Sequence, residues 1–141
     1  MSVFFDTSVL VPVFLETHEH HEASLEAFLS AKPGRAFCAA HGLAEFYATM
    51  TRLPGAHRLS GEQVSLFLGN IREKLSVVVL GGEEYWQALA EAAEREIYGG
   101  LFYDFLLSRC AIKAHCKSLL TWNVKHFERL GPEIAKICST P

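Results

Sequence analysis

Aspartate is scarce in this chain, which carries only two, Asp6 and Asp104, among sixteen acidic residues. Each lies where a short apolar run gives way to a turn or a helix start. Residues 3–5 form an apolar, strand-like run that leads directly into Asp6, Thr7 and Ser8. Open α/β sheets bind their ligands at the carboxyl ends of the strands. The first hypothesis is therefore a site built on paired acids.

The chain also lacks a long apolar run. The longest such segment, residues 9–15, includes Pro12 and is far shorter than the roughly 20 residues that a membrane-spanning helix requires. No lysine or arginine precedes it and Asp6 interrupts the region, which argues against a signal peptide. We therefore expect a soluble, cytoplasmic protein without a membrane partner.

An excess of positive charge is missing as well. Sixteen acidic residues face thirteen lysines and arginines, and the formal net charge is −3. A protein that binds nucleic acid through an overall basic field is thereby excluded. Any contact with RNA or DNA has to come from a local basic patch.

No C-x-x-C pair occurs among the four cysteines. All four lie in apolar surroundings, which predicts buried free thiols in a reducing compartment rather than a structural zinc site. The positions are Cys38, Cys110, Cys116 and Cys138.

Short apolar runs alternate with helical patterns along the whole chain, which predicts an α/β fold with a mostly parallel central sheet of about five short strands flanked by helices. No repeat or linker interrupts the chain, so residues 1–141 are predicted to form one domain. The predicted strands are residues 3–5, 36–38, 77–80, 119–121 and 135–138. The predicted helices are residues 9–16, 20–31, 41–53, 62–75, 83–97 and 102–117, with Ser8 and Ser60 as candidate N-caps.

Three carboxylates are candidates for one metal site. Asp6 with Thr7 and Ser8 offers the oxygen ligands that Mg²⁺ and Mn²⁺ prefer, although a helix cap explains the same tripeptide. Glu45 lies opposite the apolar face of its helix, and a solvated acid is the simpler interpretation there. Asp104 opens a helix that is apolar almost all round, where the helix dipole favours an acid but a buried carboxylate needs a partner. A metal ion would be such a partner.

These motifs together resemble the PIN-domain nucleases. Their order is Asp-Thr-Ser after the first strand, a glutamate on the third helix, an aspartate opening a late helix, and Thr-Trp-Asn-Val-Lys-His-Phe from Thr121 onward. Within that family the chain looks most like the small VapC-type toxins of toxin–antitoxin pairs. The resemblance covers the full length and implies a PIN-like nuclease domain over residues 1–141.

The resemblance also implies roles for particular residues. Asp6, Glu45 and Asp104 match the acidic positions that bind Mg²⁺ or Mn²⁺, and Asn123 falls where many members carry a fourth acid. An asparagine there keeps an oxygen ligand but removes a charge, which weakens the case for a permanently loaded second ion. The polar positions that usually support the site are matched by Thr7, Ser8 and Thr121.

The function implied is metal-dependent hydrolysis of RNA phosphodiester bonds, with a cognate antitoxin and a homodimer as partners. Two other interpretations stay open from the residues. One is a non-catalytic PIN fold that only binds RNA or a partner, which Asn123 favours. The other is an aspartyl-phosphate phosphoryl-transfer domain, which is weakened because no second aspartate lies two residues after Asp6.

Local cations have to attract the RNA phosphates if this function holds. The candidates after the Glu45 helix and after Asn123, any of which could be ordinary solvated charge, are Arg52, His57, Arg58, Lys125, His126 and Arg129. Trp122 and Tyr47 are candidates for stacking on bases, whereas Phe127 is better explained by the core. The histidine-rich residues 16–22 lack H-E-x-x-H spacing, so we predict a solvated helix start there and no metal site.

Overall fold

Five parallel strands form one sheet in the order β3-β2-β1-β4-β5. The structure is a computed structural model that describes residues 1–141, apart from the side chain of His57. Its strands are β1 (Val3–Phe5), β2 (Ala36–Ala39), β3 (Ser76–Val78), β4 (Ser118–Leu120) and β5 (Cys138–Ser139). The predicted α/β fold with a parallel sheet is confirmed.

Helices connect the strands and cover both faces of the sheet. They are α1 (Thr7–Val13), α2 (His21–Ser30), α3 (Ala40–Thr51), α4 (Gly61–Lys74), α5 (Gly82–Glu94), α6 (Leu101–Lys113), α7 (Val124–Glu128) and α8 (Pro132–Ala135), with a short 3-10 helix at Gly55–His57. None of the helices in the described part of the chain is long and apolar enough to cross a membrane.

The core has two apolar layers, one on each face of the sheet. Successive residues of a strand point to opposite faces. Accordingly Phe4 packs with Phe105 and Leu119 in one layer, whereas Phe5 packs with Phe46 and other residues in the second. Burial on both faces explains why β1 and β2 have uninterrupted apolar sequences. The four cysteines are free, and three of them are buried.

The start of α1 differs from the prediction in a way that concerns the site. Ser8 lies inside α1, and Asp6 occupies the N-cap position without making a side-chain capping bond. The prediction of Ser8 as N-cap is therefore wrong, because its hydroxyl donates to the Asp6 carboxylate instead. Ser60 does cap α4, and Gln63 completes a capping box with it.

The last strand is shorter and later than predicted. Residues 132–135 form α8, which begins with Pro132 after Gly131 at a φ of 117°. Proline suits the first position of a helix, and glycine tolerates that positive φ, so these two residues start a helical turn that extends to Ala135, the first residue of the predicted strand. Only Cys138 and Ser139 then pair with β4.

Candidate active site

The three predicted acids line one cleft at the carboxyl end of the parallel strands. Asp6 directly follows β1, Glu45 lies on α3 after β2, and Asp104 lies in the first turn of α6. Asn123 joins them from the turn after β4. The cleft has a volume of about 450 Å³, and its other lining residues are Thr7, Ser8, Val11, Pro12, His18, His20, Thr49 and Trp122.

Asp6 is the most firmly held of the acids. The residue is only 5% exposed, and its Oδ2 accepts hydrogen bonds of 2.7 Å from both the Ser8 and the Thr121 hydroxyls. Each hydroxyl also accepts a backbone N–H at 2.9 Å, Ser8 from Trp122 and Thr121 from Asn123. Among the described residues no hydrogen bond reaches Asp6 Oδ1. One carboxylate oxygen is thus fixed by the protein and the other is left for a ligand.

Thr7 supports the site in a different way. Its hydroxyl donates to the Gly42 carbonyl on α3 at 3.3 Å. A Cβ at Gly42 would lie 3.1 Å from Thr7 Oγ1, so glycine permits the close approach of α1 and α3. The helix that carries Glu45 is thereby held against the turn that carries Asp6.

Negative charge is concentrated in this cleft. Desolvation and, next, the charge of Asp6 raise the pKa of Asp104 to about 6, while His126 acts in the opposite direction. The pKa of Glu45 is also raised, first by desolvation and then by Asp6 and Asp104. The charge of Asp6 therefore makes ionisation of Asp104 and Glu45 less favourable, which is the condition that a bound cation relieves.

The donor set suits a hard divalent cation that keeps most of its water. Among the described residues no three histidine, cysteine, aspartate or glutamate side chains are drawn together into a compact metal cluster. Mg²⁺ is usually held by one or two carboxylates with several waters, so it does not need such a cluster. The buried Asp6, with one oxygen unused by the protein, fits that kind of site.

Asn123 lies at the N-cap position of α7 but makes no side-chain capping bond. Its backbone N–H is held by Thr121, and its residue is exposed in the cleft. The side-chain amide of Asn123 brings an uncharged acceptor oxygen to the lining of the cleft.

The predicted cationic residues differ in how close they lie to the acids of the cleft. His126 does not line the cleft, but its Nδ1 lies 3.6 Å from Asp104 Oδ2, and Lys125 precedes it on α7 as an exposed residue. Arg52 lines a shallow hollow that shares Thr49 with the cleft. Arg58 is exposed but does not line the cleft, and the side chain of His57 lies outside the described part of the chain.

The three aromatic residues considered for base stacking lie in different places. Trp122 lines the cleft, Phe127 is fully buried in the core, and Tyr47 is exposed but outside the cleft. The assignment of Phe127 to the core is confirmed.

Sequence reasoning missed three histidines near the acids. His18 and His20 line the cleft, and His20 stacks on Trp122, so the prediction of a merely solvated helix start is wrong for these two. His41, one turn before Glu45, has its pKa lowered by burial, against the effects of a hydrogen bond to the Tyr103 backbone and of Asp6. No signal in the local sequence marks His20 as a residue of the cleft, because its place there depends on its contact with the distant Trp122.

The fold and the acid-lined cleft define a nuclease-like α/β protein of the PIN type. The PIN domain family model matches residues 3–131 of the sequence. The chain therefore belongs to the PIN-domain family.

Similar proteins within that family are VapC ribonucleases. Ribonuclease VapC40 of Mycobacterium tuberculosis is 35% identical over 132 residues, which are 92% of this chain and 94% of the relative. Ribonuclease VapC27 of the same organism is 31% identical over 133 residues, 92% of each chain.

Two solved structures share the fold. Mycobacterium tuberculosis VapC20, described as a sarcin-ricin loop cleaving toxin, has a TM-score of 0.70 over 89% of this chain and 92% of its own, at 17% identity. VapBC2 from Rickettsia felis, bound to a DNA fragment from its promoter, has a TM-score of 0.68 over 100% and 99%, at 19% identity. At these identities the likeness concerns the fold alone.

Proposed function

We propose that this chain is a metal-dependent endoribonuclease and the toxin of a toxin–antitoxin pair. The observation that carries the proposal is the convergence of Asp6, Glu45 and Asp104 on one cleft at the carboxyl end of the sheet. Membership of the PIN-domain family and similarity to proteins named ribonucleases support the reaction class.

Asp6, Glu45 and Asp104 would hold the cation, Mg²⁺ or Mn²⁺, and Asn123 would add a neutral oxygen. When bound there, such an ion lowers the pKa of an attacking water and neutralises charge that builds on the phosphate. The chain itself supplies the orientation, because Ser8 and Thr121 fix Asp6 Oδ2 and leave Oδ1 toward the ligand side. It also supplies the excess negative charge that makes cation binding favourable.

The RNA backbone needs positive charge close to these acids. Lys125 and His126 are the candidates beside Asn123, and Arg52 is the candidate beyond Thr49. His126 lies near enough to Asp104 to contact a phosphate bound at the acids. Arg58 would act only on a longer stretch of RNA, because it lies outside the cleft lining.

A cognate antitoxin and a homodimer belong to the same proposal, as does a cytoplasmic location. The similarity to VapC proteins supports the antitoxin, and the family resemblance supports the dimer. Light scattering coupled to size-exclusion chromatography tests the dimer, since a mass of 15.7 kDa at all concentrations would contradict it.

The test is cleavage of total cellular RNA by purified wild type, Asp104→Asn and Glu84→Gln. Each protein is assayed with Mg²⁺ or Mn²⁺ and again with excess chelator, and new RNA ends are mapped by sequencing so that a single rare cut is detected. Glu84→Gln is the matched control, because it makes the same acid-to-amide change at Glu84, which pairs with Lys113 and does not line the cleft.

Wild type and Glu84→Gln should cut the RNA in a metal-dependent manner, and Asp104→Asn should not. New ends that persist in the chelator, or that Asp104→Asn also produces, would contradict the proposed site. An absence of new ends with folded wild type would replace the nuclease by the binding-only PIN fold, which a measured RNA affinity would then support.

A further inference from the structure

Two aromatic rings form a stacked pair in the wall of the acid cleft. The ring centroids of His20 and Trp122 are 3.7 Å apart, and the ring planes differ by 7°. Both residues line the cleft. Trp122 packs against the apolar layer that contains Phe5 and Phe46, so the stack rests on the core.

Hydrogen bonds hold the Trp122 ring and the backbone of His20 in place. Trp122 Nε1 donates to the buried Ser24 hydroxyl at 2.9 Å. The His20 backbone N–H donates to His18 Nδ1 at 3.0 Å, and the His18 ring lies 5.7 Å from the His20 ring. The Trp122 ring, fixed through Nε1, loses little conformational entropy when a ligand binds.

The stack is also rigidly joined to the acids. The Trp122 backbone N–H donates to Ser8 Oγ at 2.9 Å, and Ser8 Oγ donates to Asp6 Oδ2 at 2.7 Å. A single hydroxyl therefore fixes the position of the stack relative to the carboxylate. A substrate held at Asp6 through a phosphate would meet the rings with its neighbouring nucleotide.

We propose that His20 and Trp122 form a stacking platform for one nucleobase of a single-stranded RNA, next to the phosphate that is cut. This inference rests on the proposed ribonuclease function and adds the subsite that recognises a base. Aromatic and imidazole rings are the groups on which proteins stack unpaired RNA bases. His18 adds polarity at the edge, because its Nδ1 is occupied by the His20 N–H and its Nε2 remains to meet a base.

The alternative is that the stack only stabilises the approach to α2. The two roles differ in what they demand from the RNA. Packing alone is indifferent to whether the RNA carries bases, whereas a platform loses its contribution when the base is removed. Stacking of a base on an aromatic side chain contributes about 5-fold to 150-fold in affinity.

The experiment measures binding with Ca²⁺ in place of Mg²⁺, so that a hard cation can still hold a phosphate at Asp6, and a gel verifies that the RNA stays uncut. The probe is a fluorescein-labelled, single-stranded RNA of mixed sequence and about ten nucleotides, a typical site size, together with versions that carry one abasic ribose at successive positions. The proteins are wild type, His20→Ala, His20→Leu and His20→Phe. Trp86→Phe is the surface control, because Trp86 is 70% exposed on α5 and does not line the cleft.

The expected result is specific to one position of the RNA. Wild type should lose about 5-fold to 150-fold in affinity when the base at that position is removed. His20→Ala and His20→Leu should bind the complete RNA as weakly as wild type binds the abasic version, and His20→Phe should restore the preference. Trp86→Phe should bind both RNAs as wild type does. Because this variant keeps Trp122 as its only tryptophan, its tryptophan fluorescence should change when the complete RNA is added and should not change when the abasic version is added.

Equal affinity of wild type for every abasic version would overturn the platform, and this arm does not depend on whether a variant folds. An equal loss for His20→Ala on complete and abasic RNA would also overturn it, because it indicates a structural role. The cleavage assay described above tests the ribonuclease function independently of the platform. A base preference that depends on His20, in a wild type that never cuts RNA, would keep the platform and reject the nuclease.

Discussion

Replacement of Asp104 by asparagine should stabilise the cation-free protein at neutral pH while it destroys the site. The pKa of Asp104 is raised from 3.8 to about 6, mainly by desolvation and next by Asp6. The folded protein therefore binds a proton more tightly at this position than the unfolded chain does. Stability falls as pH rises from about 4 to about 6 and stays lower above that range. The amide of the variant carries no charge, so Asp104→Asn should escape this loss.

The magnitude follows from the two pKa values. Each pH unit between them corresponds to about 1.36 kcal/mol, so the whole difference is about 3 kcal/mol. The Asp104 side chain is 25% exposed, and solvent reduces the cost of its charge. We expect the variant to gain about 1 to 3 kcal/mol in free energy of unfolding at pH 7, and almost nothing at pH 4.

Urea unfolding between pH 4 and pH 8, in the presence of chelator, measures this difference. Glu84→Gln is the control with the opposite sign. The pKa of Glu84 is lowered by the Gly81 backbone N–H and by Lys113, so its contribution to stability is present above the ordinary pKa and is lost as pH falls. Glu84→Gln should therefore destabilise the protein at pH 7.

A stability gain for Asp104→Asn that is the same at pH 4 and pH 8 would refute the reasoning, since it would not come from ionisation. A loss of stability at pH 7 would refute it as well. Addition of Mg²⁺ gives a further check. A cation that binds the folded state stabilises the wild type, so the advantage of the variant should shrink.

Three other outcomes are expected from the same geometry. Thr121→Val removes a buried hydroxyl that donates to Asp6 and accepts from Asn123, so urea unfolding should show a loss of about 1 to 3 kcal/mol, and an unchanged midpoint would contradict the role of this hydroxyl. Asn123→Asp adds a carboxylate to the cleft and should tighten Mn²⁺ or Mg²⁺ binding in calorimetry; equal or weaker affinity would count against Asn123 as a ligand position. Burial raises the pKa of the Cys38 thiol to about 12, so this thiol should react with iodoacetamide only after unfolding, and rapid labelling of the native protein would show otherwise.

Much of the fold follows from local sequence. The runs around Phe4 and Phe37 are apolar without alternation because both faces of the sheet are covered, and such strands are recognisable from their residues. Ser60 is identifiable as a cap because a serine followed three residues later by glutamine is a local signal. The two-residue β5 is misplaced by sequence reasoning because the apolar pattern of residues 135–138 predicts a strand there, whereas Gly131 and Pro132 start α8, which extends to Ala135.

The two aspartates of the site were also predictable from local sequence. Asp6 and Asp104 stand out because they are the only aspartates, and each follows an apolar run or opens a buried helix. The sequence could not predict which hydrogen bonds each polar residue of the site makes. The local pattern predicts Ser8 as the cap of α1, but Ser8 connects Asp6 with Trp122, a residue 114 positions away.

The sequence by itself determined the parallel α/β fold and the order of the acidic positions, since both depend on patterns within a few residues of the chain. Only the tertiary structure decided that Asp6 is held by Thr121 across the sheet and that His20 stacks on Trp122. The physical reason is that hydrogen bonds and ring contacts between distant segments depend on how the strands and helices pack, and no local periodicity records them.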